Sequence, residues 1–140
     1  MRKTTARVAK AAVSAGVALA AAVVMASPAH AASGKNAYAY VYGPDGKSTA
    51  AAWFETYGEH VDLYDDKADG KGVAFELQRR NSSGTWYTYA SGYSNLGYGN
   101  GYKYYDYEIP EGAPIRIRAC LQNGSTAPRT PCGAWAYGTA

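Results

Sequence analysis

The chain reads as all-β: a single antiparallel β-sandwich of about eight short strands, pinned by one disulfide. Three observations predict this class. Apolar and polar side chains alternate with a period of two, and Gly, Pro, Asn and Asp clusters break the alternation every eight to twelve residues. Tyr, Trp, Val, Ile and Thr, the residues that suit a pleated half-buried surface, fill the runs between those breaks. The two cysteines, Cys120 and Cys132, form an even pair in a small domain, which reads as a disulfide where the compartment is oxidising.

The elements follow in order. Ala37 to Tyr42 is a first strand, ended by Gly43-Pro44-Asp45-Gly46, in which Pro presets one dihedral and Gly admits positive φ. Ala51 to Tyr57 and His60 to Tyr64 come next, with Gly58 between them as a bend or bulge. In the second of these, Val61 and Leu63 share one face while His60, Asp62 and Tyr64 share the other. Asp65 to Gly72 is a polar loop. Beyond it Val73, Phe75 and Leu77 point inward, alternating with Ala74, Glu76 and Gln78.

Asn81 to Gly84 turns the chain into Thr85 to Ala90, where Trp86 and Thr88 lie opposite Tyr87 and Tyr89. Ser91 to Gly101, rich in Gly, Tyr and Asn, reads as a long loop. Tyr102 to Ile109 is a strand with Tyr105, Tyr107 and Ile109 on one face and Tyr104, Asp106 and Glu108 on the other. The turn Pro110 to Pro114 leads to the strand Ile115 to Leu121, a loop through Pro128 and Pro131, and a last strand around Trp135 to Tyr137. Cys120 alternates with Arg116 and Arg118, so the disulfide is expected on the outer face or edge of a sheet, fastening the last strand.

The first thirty-one residues carry a different signal. Arg2, Lys3, Arg7 and Lys10 form a basic start, Ala11 to Met25 an apolar run, and Ala29-His30-Ala31 a small-x-small cleavage site before Ala32. Residues 1–31 are therefore expected to be a removed signal peptide, and residues 32–140 a single secreted, freely diffusing domain of 109 residues. Four of the fourteen Lys and Arg residues lie in the tag, which leaves ten bases facing eleven acids. That balance gives no support for a nucleic-acid or membrane partner.

Chemistry-bearing patterns are sparse. Asp65, Asp69, Gly70 and Glu76 occupy positions one, five, six and twelve of a calcium-loop spacing. Lys67 stands at the third ligand position, where an ammonium supplies no lone pair, so a hairpin loop with solvated acids is the expectation. His60 is the one histidine outside the tag and has no nucleophile motif beside it. Two distant carboxylates meeting in the fold are the remaining route to hydrolysis. No catalytic residue, cofactor or metal is expected, and the protein is read as a non-enzyme.

The dominant signal is aromatic: fourteen Tyr and three Trp, all after the tag, with Tyr on both faces of the Tyr102 strand. A tyrosine offers a large rigid contact area with a polar tip, and interleaved with Gly, Ser and Asn it makes a recognition surface. Tyr93, Tyr98, Tyr102 and Tyr104 are the candidate partner-binding residues.

The Ala-rich leader followed by Gly58-Glu59-His60-Val61-Asp62-Leu63-Tyr64-Asp65-Asp66-Lys67-Ala68-Asp69-Gly70 resembles small secreted proteins of Streptomyces-like actinomycetes. The likeness covers about half of the mature chain. One such group supplies the small adaptor of umbrella-shaped antibacterial toxin particles, and the size and export of this chain resemble it. The wider family has mostly no assigned activity, so the resemblance implies export, and a binding role only through the adaptor group.

Three functions are open at this level. The first is a protein-binding adaptor or subunit of an extracellular assembly, using Tyr-rich loops and sheet edges, with the start Ala32 to Asn36 ordering on a partner. A carbohydrate-binding domain stacking sugars on Trp53, Trp135 or the loop tyrosines is the second. The third is a hydrolase inhibitor whose loop Gln122 to Pro131 presents Arg129 at its tip to a trypsin-like pocket.

Overall fold

A computed structural model describes residues 34–140, and the proposed signal peptide, residues 1–31, lies outside the described residues. Nine strands form two antiparallel sheets, and no described residue is helical. β1 (Ala37–Tyr42), β2 (Ser48–Glu55), β3 (His60–Asp65) and β6 (Tyr102–Asp106) make the first sheet in the order β1-β2-β3-β6. β4 (Gly72–Arg80), β5 (Trp86–Ser94), β7 (Pro114–Gln122), β8 (Arg129–Cys132) and β9 (Ala136–Thr139) make the second, in which β8 and β9 pair successive halves of β7.

The all-β sandwich predicted from the alternation is what forms. One face of each sheet is apolar, and the two faces share a core: Ala39, Val41, Ala52, Phe54, Val61 and Leu63 from the first sheet, Val73, Phe75, Leu77, Ile115, Ile117 and Ala119 from the second. Many of the first-sheet residues are alanines, so the sheets approach closely there. Burying one Phe or Leu side chain contributes roughly 2–3 kcal/mol, which makes Phe54, Phe75, Leu63 and Leu77 the main contributors.

Tyr105 closes the open end of the sandwich between β6 and β5. Its hydroxyl donates to the Tyr93 carbonyl at 2.6 Å and accepts from the Tyr93 N–H at 3.0 Å. Gly92 is what permits this: a Cβ there would meet the rings of Phe75 and Tyr105. Tyr107 packs beside them, its centroid 6.3 Å from that of Phe75, and burial pushes its phenol up to about 12, with Tyr105 and Tyr89 adding.

Four details depart from the sequence reading. The segment Ser91 to Ser94, read as loop, continues β5 past a bulge opposite Leu77 and Gln78, because pairing with β4 overrides its Gly and Ser content. The loop through Pro131 contains β8, a ninth strand, and Thr130-Pro131 is a cis peptide. Pro is tolerated there because β8 is an edge strand, with one side free of ladder hydrogen bonds. The disulfide does sit in the Arg116 and Arg118 row, but Cys120 is directly opposite Cys132, so it fastens β8 and not the terminal strand β9, and Cys120 is 1% exposed. Finally, part of the expected free start is tied down: Lys35 pairs with Thr139, and the Asn36 side chain bonds to Glu55, Tyr38 and the Thr56 N–H.

Candidate functional site: an aromatic sheet face

The alternation that sends one set of first-sheet side chains to the core sends the other outward. Twelve outward positions make up this surface: Tyr38, Tyr40 and Tyr42 on β1, Ala51, Trp53 and Glu55 on β2, His60, Asp62 and Tyr64 on β3, and Tyr102, Tyr104 and Asp106 on β6, with Ser48 of β2 opposite Tyr42 at its border. Seven aromatic rings and three carboxylates stand on that face, and no Lys or Arg is among the twelve.

Register builds the surface. Tyr38, Trp53, Asp62 and Tyr104 form one row across the four strands, and Tyr40, Ala51, Tyr64 and Tyr102 form the next. Ala51 is the gap in the second row, and the Trp53 indole occupies it, with its centroid 4.4 Å from Tyr64 and 6.5 Å from Tyr40. Tyr38 meets Trp53 edge-on at 5.4 Å, Tyr64 lies 5.4 Å from Tyr102, and His60 stacks on Tyr104 at 4.8 Å. Tyr38, Tyr42, Tyr102 and Tyr104 are 45%, 63%, 51% and 49% exposed, so the patch is held together by half-covered rings with open outer edges.

Asp62 lies in the middle of these rings, 7% exposed. Its Oδ2 is 3.6 Å from His60 Nε2, while Oδ1 has no hydrogen-bond partner among the described residues. The neighbouring Trp53 Nε1 is also buried and unpartnered. Burial raises the Asp62 carboxyl above the usual carboxylate range, and the Glu55 charge adds to this while His60 and Tyr64 oppose it. The Tyr64 phenol is pushed up to about 12, first by burial and then by the Asp62 charge, and that of Tyr104 is raised as well. Both therefore remain neutral hydrogen-bond donors at physiological pH.

The four candidate tyrosines separate. Tyr102 and Tyr104 belong to the aromatic face. Tyr93 lies on β5 of the other sheet, half-buried, and with Tyr98 lines a shallow cleft beside Asp65, Lys67 and Gly72. Tyr38, Tyr40 and Tyr64 join the face without having been singled out, although the every-second-residue tyrosines of β1 carried the signal.

The other sheet presents the opposite charge. On its outer face Arg116 lies between Trp86 and Trp135, with Cζ 4.8 Å and 4.3 Å from their ring centroids. Arg118 sits 4.6 Å from the Trp135 ring and pairs with Glu76 at 2.6 Å, and Arg80 lies 5.9 Å from Trp86. Burial favours the neutral form of Glu76, but hydrogen bonds from Thr88, Arg118 and Gln78 outweigh it and hold the carboxyl below its usual range.

The guanidinium groups of Arg116 and Arg118 lie against the half-buried Trp135 ring, and Trp53 is half-covered by its neighbours. One expectation is corrected. Arg129 is not at a loop tip: it begins β8 opposite Gln122, and its Nη2 donates to Ser91 Oγ at 3.1 Å. In the calcium spacing, Asp65 and Asp69 accept from the backbone N–H groups of Lys67 and Lys71, and Glu76 is turned to Arg118. The fold does not bring the three together, and among the described residues no group of three or more His, Cys, Asp or Glu is placed to hold a metal ion. No helix of the described residues is long and apolar enough to cross a membrane.

Comparison with protein-family models, with curated proteins and with solved structures gives no match.

Proposed function

We propose that this chain is a secreted, non-enzymatic protein-binding module, an adaptor or subunit of an extracellular assembly, and that it docks through the outer face of its first sheet. The observation that carries the reading is the cluster of seven aromatic rings around a buried acid on one continuous face. Aromatic side chains with exposed edges and protonated hydroxyls are the residues that dominate protein interfaces, because they combine apolar area with directional hydrogen bonds and lose few rotamers on binding. The oppositely charged Arg and Trp face of the second sheet supports the adaptor role, since one module then offers two chemically distinct surfaces.

Ring arrangement favours protein over glycan. The rings pack on one another, Tyr104 on His60, Tyr42 on Tyr40 and Trp53 between Tyr38 and Tyr64, and so form a tilted, interlocked surface with no row of coplanar rings on which successive sugars could stack.

The test is recovery of the tagged protein from the culture medium of the organism that makes it. A stoichiometric protein partner, lost on Tyr104→Ala, supports the reading. Recovery of the lone chain, or retention on chitin, cellulose or cell-wall glycan with no protein partner, contradicts it.

A further inference from the structure

We infer that Asp62 and the rings around it form a receptor for the guanidinium group of an arginine presented by a protein partner. The inference rests on the docking reading above and specifies what the first-sheet face takes.

Asp62 is flanked across the ladder by Trp53 on β2 and Tyr104 on β6, and along its own strand by His60 and Tyr64. The Asp62 side chain is only 10% exposed, and with Tyr64 and His60 facing it and Oδ1 unpartnered it has lost most of its hydration and received fewer hydrogen bonds than normally replace it. Glu55 and Asp106 stand on the same face, which has no Lys or Arg, so its field is negative and unbalanced. Aromatic rings around a negative centre attract a cation through both their quadrupoles and the charge.

The second sheet shows the same chemistry completed. There Glu76 pairs with Arg118, whose guanidinium lies 4.6 Å from the Trp135 ring. The first sheet repeats the carboxylate and the indole, as Asp62 and Trp53, and lacks the guanidinium. A planar, weakly hydrated guanidinium suits this place better than an ammonium, because it stacks on a ring while two of its N–H groups face a carboxylate. Oδ1 itself is closed to solvent, so a guanidinium meets the carboxylate at the 10% of the side chain left open, beside the half-exposed Tyr104 ring on the edge strand β6.

The test is a titration of the 15N-labelled protein with acetyl-Gly-Arg-Gly-amide and with the matching citrulline peptide, which keeps the shape and removes the charge. The arginine peptide is expected to move the Trp53 indole N–H and the amides of residues 60–64 and 102–106 saturably, with a Kd on the order of 1–10 mM. The citrulline peptide is expected to bind about tenfold more weakly, and Asp62→Asn to weaken the arginine peptide by about the same factor. Equal binding of the two peptides, or shifts confined to the second sheet, overturns the proposal without needing any variant to fold. Shifts of the same amides by a neutral chitin oligomer and not by the arginine peptide also overturn it.

The two readings fail differently. Partner recovery lost on Tyr104→Ala but untouched by Asp62→Asn removes the arginine receptor and leaves the docking face standing. Recovery insensitive to both substitutions removes the docking face itself.

Discussion

Ala51 lies directly across the ladder from Tyr64, and the space left by its small side chain is filled by the indole of Trp53, whose centroid is 4.4 Å from that of Tyr64. Although it is on the outer face, Ala51 is only 1% exposed. The aromatic face is therefore a packed layer laid over the sheet, ordered by cross-strand rows in the way a core is ordered by interdigitation. A larger residue at position 51 has to displace the indole. Ala51→Leu is expected to move the Trp53 fluorescence maximum to the red and to abolish partner capture, while far-ultraviolet circular dichroism stays unchanged.

Asp62→Asn is expected to stabilise the protein at neutral pH. Its carboxyl is raised by burial, so the folded state favours the neutral form, and holding it ionised costs stability at any pH above the folded value. Removing an incompletely partnered buried charge is worth about 1 kcal/mol, or a rise in Tm of about 4 °C. Thermal unfolding at pH 7 and again at pH 3 checks this. The gain is expected to shrink at the lower pH, where the wild-type carboxyl is itself protonated.

Glu76 behaves in the opposite sense. Its folded carboxyl is held below the usual 4.5, so its pairing contributes stability above that value and loses it as pH falls through the lowered folded value. Glu76→Gln is expected to flatten the acid limb of the stability curve below 4.5, as read by urea midpoints across pH.

Gly92→Ala is expected to destabilise by about 1–3 kcal/mol, since the added methyl meets the Phe75 and Tyr105 rings in a closed space. The urea midpoint falls, and the Tyr105 hydroxyl loses its fit to the Tyr93 backbone, which hydrogen exchange at the Tyr93 amide reads directly.

Reducing the Cys120–Cys132 bond removes a loop closure worth roughly 3 kcal/mol on the chain-entropy model. Because the bond fastens β8 and leaves β9 with its own pairing, increased exchange is expected in Arg129–Cys132 and not in Ala136–Thr139.

Most of the architecture was legible because period-two patterning is a property of each strand alone. Val73, Phe75 and Leu77 could be assigned to the core, and Tyr104 to the face opposite Tyr105 and Tyr107, with no knowledge of their neighbours. The assembly of the aromatic face was not legible, because it depends on which strands pair and in what register. Nothing local places Tyr38 of β1 and Tyr104 of β6 in one row with Trp53 and Asp62 between them. Composition misled in two places: Ser91-Gly92-Tyr93-Ser94 reads as loop yet pairs with β4, and the Pro131 segment reads as loop yet pairs with β7. In both, tertiary pairing overrides weak local preference. Tyr93, Tyr98 and Tyr102 share a setting of Gly, Ser and Asn, but β5 and β6 belong to different sheets, so that shared composition does not bring them to one surface.

The account turns on which surface meets the partner, and deuterium uptake by the recovered complex against the free chain measures that most directly. Protection on β3 and β6, residues 60–65 and 102–106, with little change on β5 and β7, is the predicted result. Protection confined to residues 72–94 and 114–139, with the first sheet exchanging as in the free chain, would contradict it.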